Sequence, residues 1–195
     1  MKSPARRLLL TLASMVPLAV IGSSATAQAA IVDTSLCNVA PLSQPFAPWG
    51  DTSFYALAPG GDFESNTWNL SGEAQIIGGS DPSRATGSLG ARSLSVPAGS
   101  SATSPLTCVN ASYPTLRMFV GGTGLAMVSI VYDGIAIPVG IVHARGSWHP
   151  SATININGAI LGWLSGGTGR ASVRVTGLAG SPVVDDVFID PWQRT

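Results

Sequence analysis

Acidic residues stand at two distant points of this chain, near the start and near the end of its apolar segments. The first is the turn Gly60-Gly61-Asp62-Phe63-Glu64, and the second is the segment Val184-Asp185-Asp186-Val187. Carboxylate oxygens bind hard cations and pair with arginine. If the first and last strands of the fold lie side by side, these carboxylates meet at one cation or in one salt-bridge cluster. This pairing is the chemistry that the sequence indicates most directly.

Patterns typical of catalysis are weak. His143 and His149 are the only histidines, and their separation of six residues does not match a metal pair on one helix face. The chain has no Gly-x-Ser-x-Gly nucleophile elbow. The glycine-rich segment Gly121-Gly122-Thr123-Gly124 lacks the lysine and the following helix of a phosphate loop. We therefore predict a protein that is not an enzyme.

The N-terminus has the three-part layout of a secretory signal peptide. Three basic residues lead into the apolar run 8–22, and the small-residue stretch 23–30 contains the cleavage pattern Ala27-Gln28-Ala29. A membrane anchor is the alternative, and it needs about 18 or more apolar residues without such a site. We predict that residues 1–29 form a signal-peptide helix. The mature protein is then secreted, with no membrane segment after cleavage.

The charge balance of the mature part argues against nucleic-acid binding. Without residues 1–29, seven arginines stand against ten acidic residues, which leaves a net charge of −3. A nucleic-acid-binding domain normally carries a basic patch. DNA and RNA are therefore not expected partners.

Two cysteines, Cys37 and Cys108, lie in the mature part, 71 positions apart. In an oxidising compartment an even number of cysteines favours a disulfide, and two cysteines allow a single intramolecular pairing. Free thiols or a metal pair are the alternatives, but no histidine lies near either cysteine. A closed loop of this length stabilises the fold by about 4 kcal/mol in the chain-entropy model.

The remaining sequence predicts a single all-β domain. Val, Ile and Thr are abundant in short apolar blocks, and residues 153–156 and 172–176 alternate with period two. Asp133-Gly134 separates two blocks and is typical of a hairpin turn. Glycine-rich breaks between the blocks favour a β-sandwich of antiparallel strands over residues 62–195. The predicted strands are residues 93–97, 116–120, 126–132, 136–142, 151–156, 171–176 and 183–189.

Residues 30–61 have a different character. Four prolines interrupt any regular element, yet the segment is too rich in aromatic residues for a free linker. We interpret it as an extended N-terminal arm that lies across the sandwich and is tied down at Cys37.

Five short motifs occur in an order typical of one protein class. They are Gly61-Asp62-Phe63-Glu64, Trp68-x-Leu-Ser-Gly-x-Ala, Ser-Leu-x-Val-Pro, Gly146-Ser147-Trp148 and Val-Asp-Asp-Val. This order resembles the jelly-roll, galactose-binding-like carbohydrate-binding modules of secreted glycosidases, over about residues 60–191. The whole chain also resembles a set of small secreted actinobacterial proteins.

The resemblance implies a structural calcium ion. In such modules the glutamate of the Phe-Glu pair and an aspartate of the last strand bind it, together with backbone carbonyls. The matching positions are Glu64 and Asp185, with Asp186 as the substitute. Calcium takes six to eight hard oxygen ligands. The alternative is that Glu64 pairs with an arginine while the aspartates occupy a strand end or a bulge.

The resemblance also implies a polysaccharide or cell-wall glycan as partner. Trp68 and Trp148 match positions that pack into the core, which leaves Trp163 and Tyr132 as candidates to stack on a sugar ring. No run of aromatic residues marks one strand face. The alternative function is an extracellular or envelope interaction protein that keeps the sandwich without a sugar groove.

Overall fold

The computed structural model describes residues 41–110, 115–156 and 168–190. The predicted signal peptide, Cys37 and Trp163 lie outside these residues. No helix within the three ranges is long and apolar enough to cross a membrane. Eleven strands and one 3-10 helix, Ala47–Trp49, occur in the described part. The strands are β1 (Leu42–Ser43), β2 (Tyr55–Leu57), β3 (Asn69–Ser71), β4 (Gln75–Gly78), β5 (Arg92–Ser95), β6 (Ser101–Thr103), β7 (Thr107–Asn110), β8 (Thr115–Tyr132), β9 (Ile135–Pro150), β10 (Ile154–Asn155) and β11 (Thr168–Asp190).

Two long strands, β8 and β11, form the frame of the fold. They pair antiparallel along nearly their whole length, from Thr115↔Asp190 to Ser172↔Val131. Strand β9 pairs with the other edge of β8. On the other edge of β11, β2, β5, β6 and β7 pair with successive parts of the strand, all antiparallel.

Each long strand belongs to two layers. The first half of β8 and the second half of β11 lie with β2, β4 and β5, while their other halves lie with β3 and β6. Strand β9 pairs with both halves of β8. Met118 and Val184 of the first layer and Val128 and Val175 of the second are fully buried in one core cluster. This arrangement confirms the predicted all-β class and the β-sandwich of antiparallel strands.

The predicted strand breaks at residues 121–125 and 177–182 were wrong, because β8 and β11 continue through these glycine-rich segments. Gly122, Gly124 and Gly180 have positive φ angles of 69°, 121° and 65°, and the register shifts between Gly177 and Ala179. Glycine tolerates such φ angles without steric cost, so the strands bend here and keep their pairing. The Asp133-Gly134 hairpin is confirmed, since Tyr132 pairs with Ile135 and both turn residues have positive φ.

The described part of the N-terminal arm packs on the sandwich. Strand β1 pairs with β2, and β2 pairs with the end of β11. Phe46, which sequence analysis did not single out, is fully buried in an aromatic cluster with Tyr55, Phe119 and Phe188. Trp49 meets the edge of Phe119 but stays 45% exposed. The domain boundary at residue 61 stays a prediction.

Arg117 connects the arm to the sandwich. Its guanidinium forms a salt bridge of 2.7 Å with Asp51, donates two hydrogen bonds to the Ser151 carbonyl, and lies 4.3 Å from the centre of the Phe46 ring. Burial acts to raise the pKa of Asp51, but hydrogen bonds from Tyr55 and Arg117 outweigh it and hold this pKa at about 2. Asp51 therefore remains charged under all ordinary conditions and keeps the arm in place.

The two tryptophans expected in the core differ. Trp68 is buried against Phe63, and its indole N–H donates to the Pro59 carbonyl at 3.1 Å, which confirms the prediction. Trp148 is half-buried beside the aromatic cluster. A side chain at Gly121 would lie 2.8 Å from the Trp148 ring, so this glycine provides the space for the indole.

Candidate functional site

Three aspartates meet where β11 bulges. Asp185 and Asp186 lie at the register shift of this strand, and Asp186 has a φ of 45°. Asp81, from the loop after β4, completes the group. One carboxylate oxygen from each residue lies within 4.8 Å of the others, and all three residues are buried. We call these residues the acidic cluster.

Hydrogen bonds hold the acidic cluster in position. Asp185 Oδ2 accepts from the Ser80 hydroxyl at 2.7 Å and from the Asp81 amide at 2.9 Å, and its Oδ1 accepts from the Asp186 amide. Asp81 Oδ1 accepts from the amide and hydroxyl of Ser83. Asp81 Oδ2 is fully buried and meets no hydrogen-bond donor among the described residues.

Burial, together with charge repulsion, makes the acidic cluster sensitive to protonation. Burial raises the pKa of Asp185 to about 6, although hydrogen bonds from Ser80 and from two backbone amides partly oppose this shift. Burial and the neighbouring charge of Asp185 raise the pKa of Asp186 further. A proton on Asp186 is one way to satisfy the open oxygen of Asp81, and a bound cation is the other.

The geometry of the acidic cluster fits a calcium ion. Calcium–oxygen distances are about 2.3–2.6 Å, so two ligands on opposite sides of one ion lie about 5 Å apart. The 4.8 Å limit of the cluster is within that span. Asp81, Asp185 and Asp186 supply three formal negative charges, more than a divalent cation neutralises. A cation bound among these three residues would satisfy the buried Oδ2 of Asp81.

Glu64 lies close to the acidic cluster but has different contacts. Its Oε1 accepts hydrogen bonds from the amides of Ala91 at 2.6 Å and Arg92 at 2.9 Å. A side chain at Gly90 would meet both Glu64 Oε1 and the Ser80 hydroxyl, so the two groups border the same glycine. The Ala58 amide donates to the Val187 carbonyl, and the Val187 amide donates to the Gly61 carbonyl. The turn that precedes Glu64 therefore lies beside the last strand. The role of Glu64 as a metal ligand stays a prediction.

Raising the pH is expected to destabilise the metal-free protein. Asp185 and Asp186 have folded-state pKa values above the ordinary value of 3.8. Their stabilising contribution is therefore fully present below about pH 4 and is lost as the pH rises through about 6 and beyond. Urea unfolding in chelator at pH 4, 6 and 8 measures this loss. Asp185→Asn should flatten the profile, whereas the exposed control Glu73→Gln should not; equal slopes in all three proteins would contradict the prediction.

A second feature is the outward face of the second layer. Alternation places Leu70, Ala102, Val175 and Val128 toward the core, so their neighbours point outward. Strand registers align these neighbours in rows across five strands, β3, β6, β11, β8 and β9. We call this surface the outer face. Its two full rows are Asn69, Thr103, Arg174, Ser129 and Pro138, and Ser71, Ser101, Thr176, Met127 and Ile141.

The outer face is mainly polar and hydroxyl-rich. Arg174 Nε donates to the Thr103 hydroxyl at 2.9 Å, which fixes the guanidinium in the plane of the face. Neighbouring strands lie about 4.8 Å apart, so the five strands extend over roughly 19 Å. Such a surface is long enough for several units of a polyhydroxyl chain.

Ser129 is a residue of the outer face whose hydroxyl lacks a hydrogen bond among the described residues. Its side chain is buried. A buried unsatisfied hydroxyl costs about 1–3 kcal/mol. We expect Ser129→Ala to keep or raise the free energy of unfolding, by up to about 1 kcal/mol, in urea titration. Ser104→Ala is the matched control, because the Ser104 hydroxyl accepts from the Val173 amide and donates to the Pro105 carbonyl. The control should destabilise; equal losses would contradict the prediction.

The other predicted site residues have separate locations. Tyr132 ends β8 and packs, half-buried, against the core, so its role in sugar stacking stays a prediction. Trp163 lies outside the described residues. Cys108 lies on β7 and is not a free thiol. Because Cys37 is outside the described part, the Cys37–Cys108 disulfide stays a prediction.

Sequence analysis did not identify Asp81 or Arg117. Asp81 lies 104 positions from its partner Asp185, and Arg117 lies 66 positions from its partner Asp51. Neither residue has a local motif. The missed signal for Asp81 is the turn Gly79-Ser80-Asp81-Pro82, which is typical of a fixed loop but not of a ligand site.

Comparison with known proteins gives similarity at the level of structure. No protein-family model matches the chain, and no curated protein matches it by sequence. Similar solved structures include the C-terminal CBM6 of a marine laminarinase from Zobellia galactanivorans, with a TM-score of 0.44 and 12% identity over 66% of this chain and 94% of that one. A carbohydrate-binding module of Cellvibrio mixtus lichenase 5A in complex with cellotriose has a TM-score of 0.41 and 14% identity over 64% and 91%. A β-1,3-glucan-binding CBM6 from Bacillus halodurans has a TM-score of 0.41 and 12% identity over 66% and 90%. Carbohydrate-binding modules are thus among the solved structures to which this chain is similar.

Proposed function

We propose that this protein is a secreted, non-catalytic module that binds a polysaccharide on its outer face, with calcium in the acidic cluster as structural support. The outer face carries the first part of the proposal. It presents hydroxyl, amide and guanidinium groups in register across five strands, next to the apolar side chains of Met127 and Ile141. Polysaccharides offer the complementary pattern of hydroxyl groups and C–H faces.

Blocking the outer face tests this proposal. Thr176 lies in the middle of a full row, between Ser101 and Met127. Thr176→Tyr keeps a side chain that favours strands but covers the neighbouring hydroxyls. We expect the mature protein to be retained on at least one polysaccharide of a cell-wall and plant glycan panel, and Thr176→Tyr to lower the affinity about tenfold or more.

The control for this experiment is Thr86→Tyr, which places the same ring on an exposed loop residue away from the outer face. Circular dichroism and thermal unfolding confirm that both variants fold. Retention on no glycan would overturn the proposal and favour the alternative of an extracellular interaction protein. Equal effects of the two variants would exclude the outer face as the binding surface.

The calcium part of the proposal rests on the acidic cluster. Asp81, Asp185 and Asp186 are the proposed ligands, and Glu64 remains a fourth candidate. A bound ion would offset most of the negative charge of the cluster, satisfy Asp81 Oδ2 and hold the loop after β4 against the bulge of β11. The ion would act on stability and not on any chemical step.

Metal analysis together with thermal unfolding tests the calcium site. Calcium at 100 times its dissociation constant stabilises a protein by about 2.7 kcal/mol, so the melting temperature should rise in calcium and fall in chelator. Asp81→Asn should abolish this response, while Glu73→Gln, which removes an exposed acid outside the cluster, should preserve it. Glu64→Gln decides whether Glu64 contributes. A melting temperature that does not respond to calcium would overturn this part of the proposal.

A further inference from the structure

A cleft of about 270 Å³ opens beside the outer face. It lies where the second half of β9 approaches β10, and the outward residues of β9 form one of its walls. In the strand pairing, Arg145 of β9 lies opposite Thr123 of β8, and Thr123 lies opposite Ser181 of β11. The cleft therefore continues the outer face at its β9 edge. The residues that matter for its chemistry are Ile141, His143, Arg145, His149, Pro150 and Ile154.

The charge of this cleft is positive and uncompensated. Arg145 is exposed and has no hydrogen-bond or ion-pair partner among the described residues. All residues that line the cleft are described, and none of them is acidic. Arginine stays charged at every physiological pH and matches carboxylate and phosphate groups with two parallel hydrogen bonds. Because this guanidinium is exposed and unpaired among the described residues, it is available for an external anion.

His149 forms a fixed wall of the cleft. Its Nδ1 lies 2.9 Å from the Ser147 carbonyl oxygen, and its Nε2 lies 3.1 Å from the His143 carbonyl oxygen. Both ring nitrogens therefore face backbone groups. His143, by contrast, is exposed, and its ring has no partner in the described part of the chain. Arg145 and His143 are thus the polar groups that the cleft presents to a ligand.

Part of the cleft lining is apolar. Ile141 and Pro150 of β9 and Ile154 of β10 contribute to it, and Ile141 is more than half exposed although it is a large hydrophobic residue. Pockets for drug-sized ligands measure about 300–1,000 Å³, so this smaller cleft suits a single ring. A sugar ring has an apolar C–H face, and an acidic sugar adds one anionic group.

We infer that this cleft binds the acidic unit of a polysaccharide, a sugar that carries a carboxylate or a phosphate group. Arg145 pairs with the anion, His143 hydrogen-bonds a neighbouring hydroxyl, and the Ile141–Pro150 wall packs on the ring. This inference rests on the proposed polysaccharide-binding function and specifies its ligand class as acidic. The other sugar units of the polysaccharide lie on the outer face.

Titration calorimetry at fixed ionic strength tests the inference with the mature protein. The probes are an oligogalacturonate, its methyl ester, an oligomer of glycerol phosphate and a set of neutral glucan and xylan oligosaccharides. We expect the oligogalacturonate or the phosphate oligomer to bind at least about tenfold more tightly than the methyl ester, because esterification removes the charge that Arg145 recognises. The tighter of the two acidic probes identifies the carboxylate or the phosphate as the anion.

A matched pair of arginine variants locates the site. Arg145→Gln should weaken binding of the acidic probe about tenfold or more. Arg92→Gln makes the same charge change in a different cleft of about 500 Å³, which Asn66, Gln75 and Arg92 help to line. That variant should leave the affinity unchanged. Both arginine side chains are exposed, so both variants are expected to fold.

Each other outcome has a distinct meaning. Equal affinity for the acid and its methyl ester, or tight binding to neutral oligosaccharides alone, overturns the inference while the proposed function stands. Loss of affinity in Arg92→Gln but not in Arg145→Gln also overturns it, because the ligand then occupies the larger cleft. Binding to none of the probes, neutral or acidic, and to none of the wider glycan panel overturns the proposed function as well.

Discussion

Replacing Phe46 with alanine is expected to lower the free energy of unfolding by about 3–5 kcal/mol, the range for a buried phenylalanine. Phe46 is completely buried, and its ring stacks on Phe119 at a centroid distance of 5.4 Å. The rings of Tyr55 and Phe188 lie nearly perpendicular to it, with centroid distances of 5.2 and 5.6 Å. Since domains of this size are stable by only about 5–15 kcal/mol, the loss would be a large part of the total.

The loss at Phe46 has a second component. Arg117 lies over the ring at 4.3 Å while it pairs with Asp51, so removal of the ring exposes a buried guanidinium to a cavity. Urea unfolding of the mature protein measures the total effect. Phe54→Ala is the matched control in the same arm, because Phe54 is 39% exposed, and we expect it to cost about 1 kcal/mol or less. A Phe46→Ala loss no larger than that of the control would mean that the arm does not stabilise the sandwich.

Replacing Gly124 with alanine is expected to cost about 3 kcal/mol or more. Gly124 has a φ of 121°, which side chains rarely adopt, and a Cβ there would lie 1.9 Å from the Ala179 carbonyl oxygen on β11. Strained φ angles cost about 1–3 kcal/mol, and overpacking against a backbone atom that cannot rotate away adds a similar amount. The substitution acts at the point where β8 passes from one layer to the other.

Gly134→Ala is the control that separates strain from clash. Gly134 also has a positive φ, 80°, but no atom lies within 4 Å of the position that an alanine Cβ would occupy there, so only the strain of about 1–3 kcal/mol remains. Thermal and urea unfolding of both variants give the difference. If Gly124→Ala fails to fold, limited proteolysis of the two variants still ranks them. Equal losses would show that β8 and β11 are not as close at this bend as the structure indicates.

The strands themselves could be predicted because their signal is local. Alternation in segments such as 172–176 arises when one face of a strand is buried, and it persists whatever the strand pairs with. The Asp133-Gly134 turn is equally local, since positive φ at two successive positions demands these residue types. Trp68 was placed in the core correctly from its motif.

The continuity of β8 and β11 could not be predicted in the same way. Glycines in a row are typical both of a turn and of a bent strand, because they adopt positive φ in either setting. The pairing of Gly124 with Gly180 and of Gly121 with Val183 decides between the two, and those partners are about 56 and 62 positions apart. The prediction of separate short strands failed for this reason.

The sequence by itself determined the all-β class and the hairpin at Asp133-Gly134, because both depend on residue type and short-range period. Only the tertiary structure decided that Asp81 joins Asp185 and Asp186, that Glu64 contacts the backbone before β5, and that Arg145 lines a cleft beside a five-stranded face. These features depend on contacts across strand registers between residues far apart in the chain. No local pattern encodes such a register, because the pairing of β8 with β11 is set by the packing of the whole core.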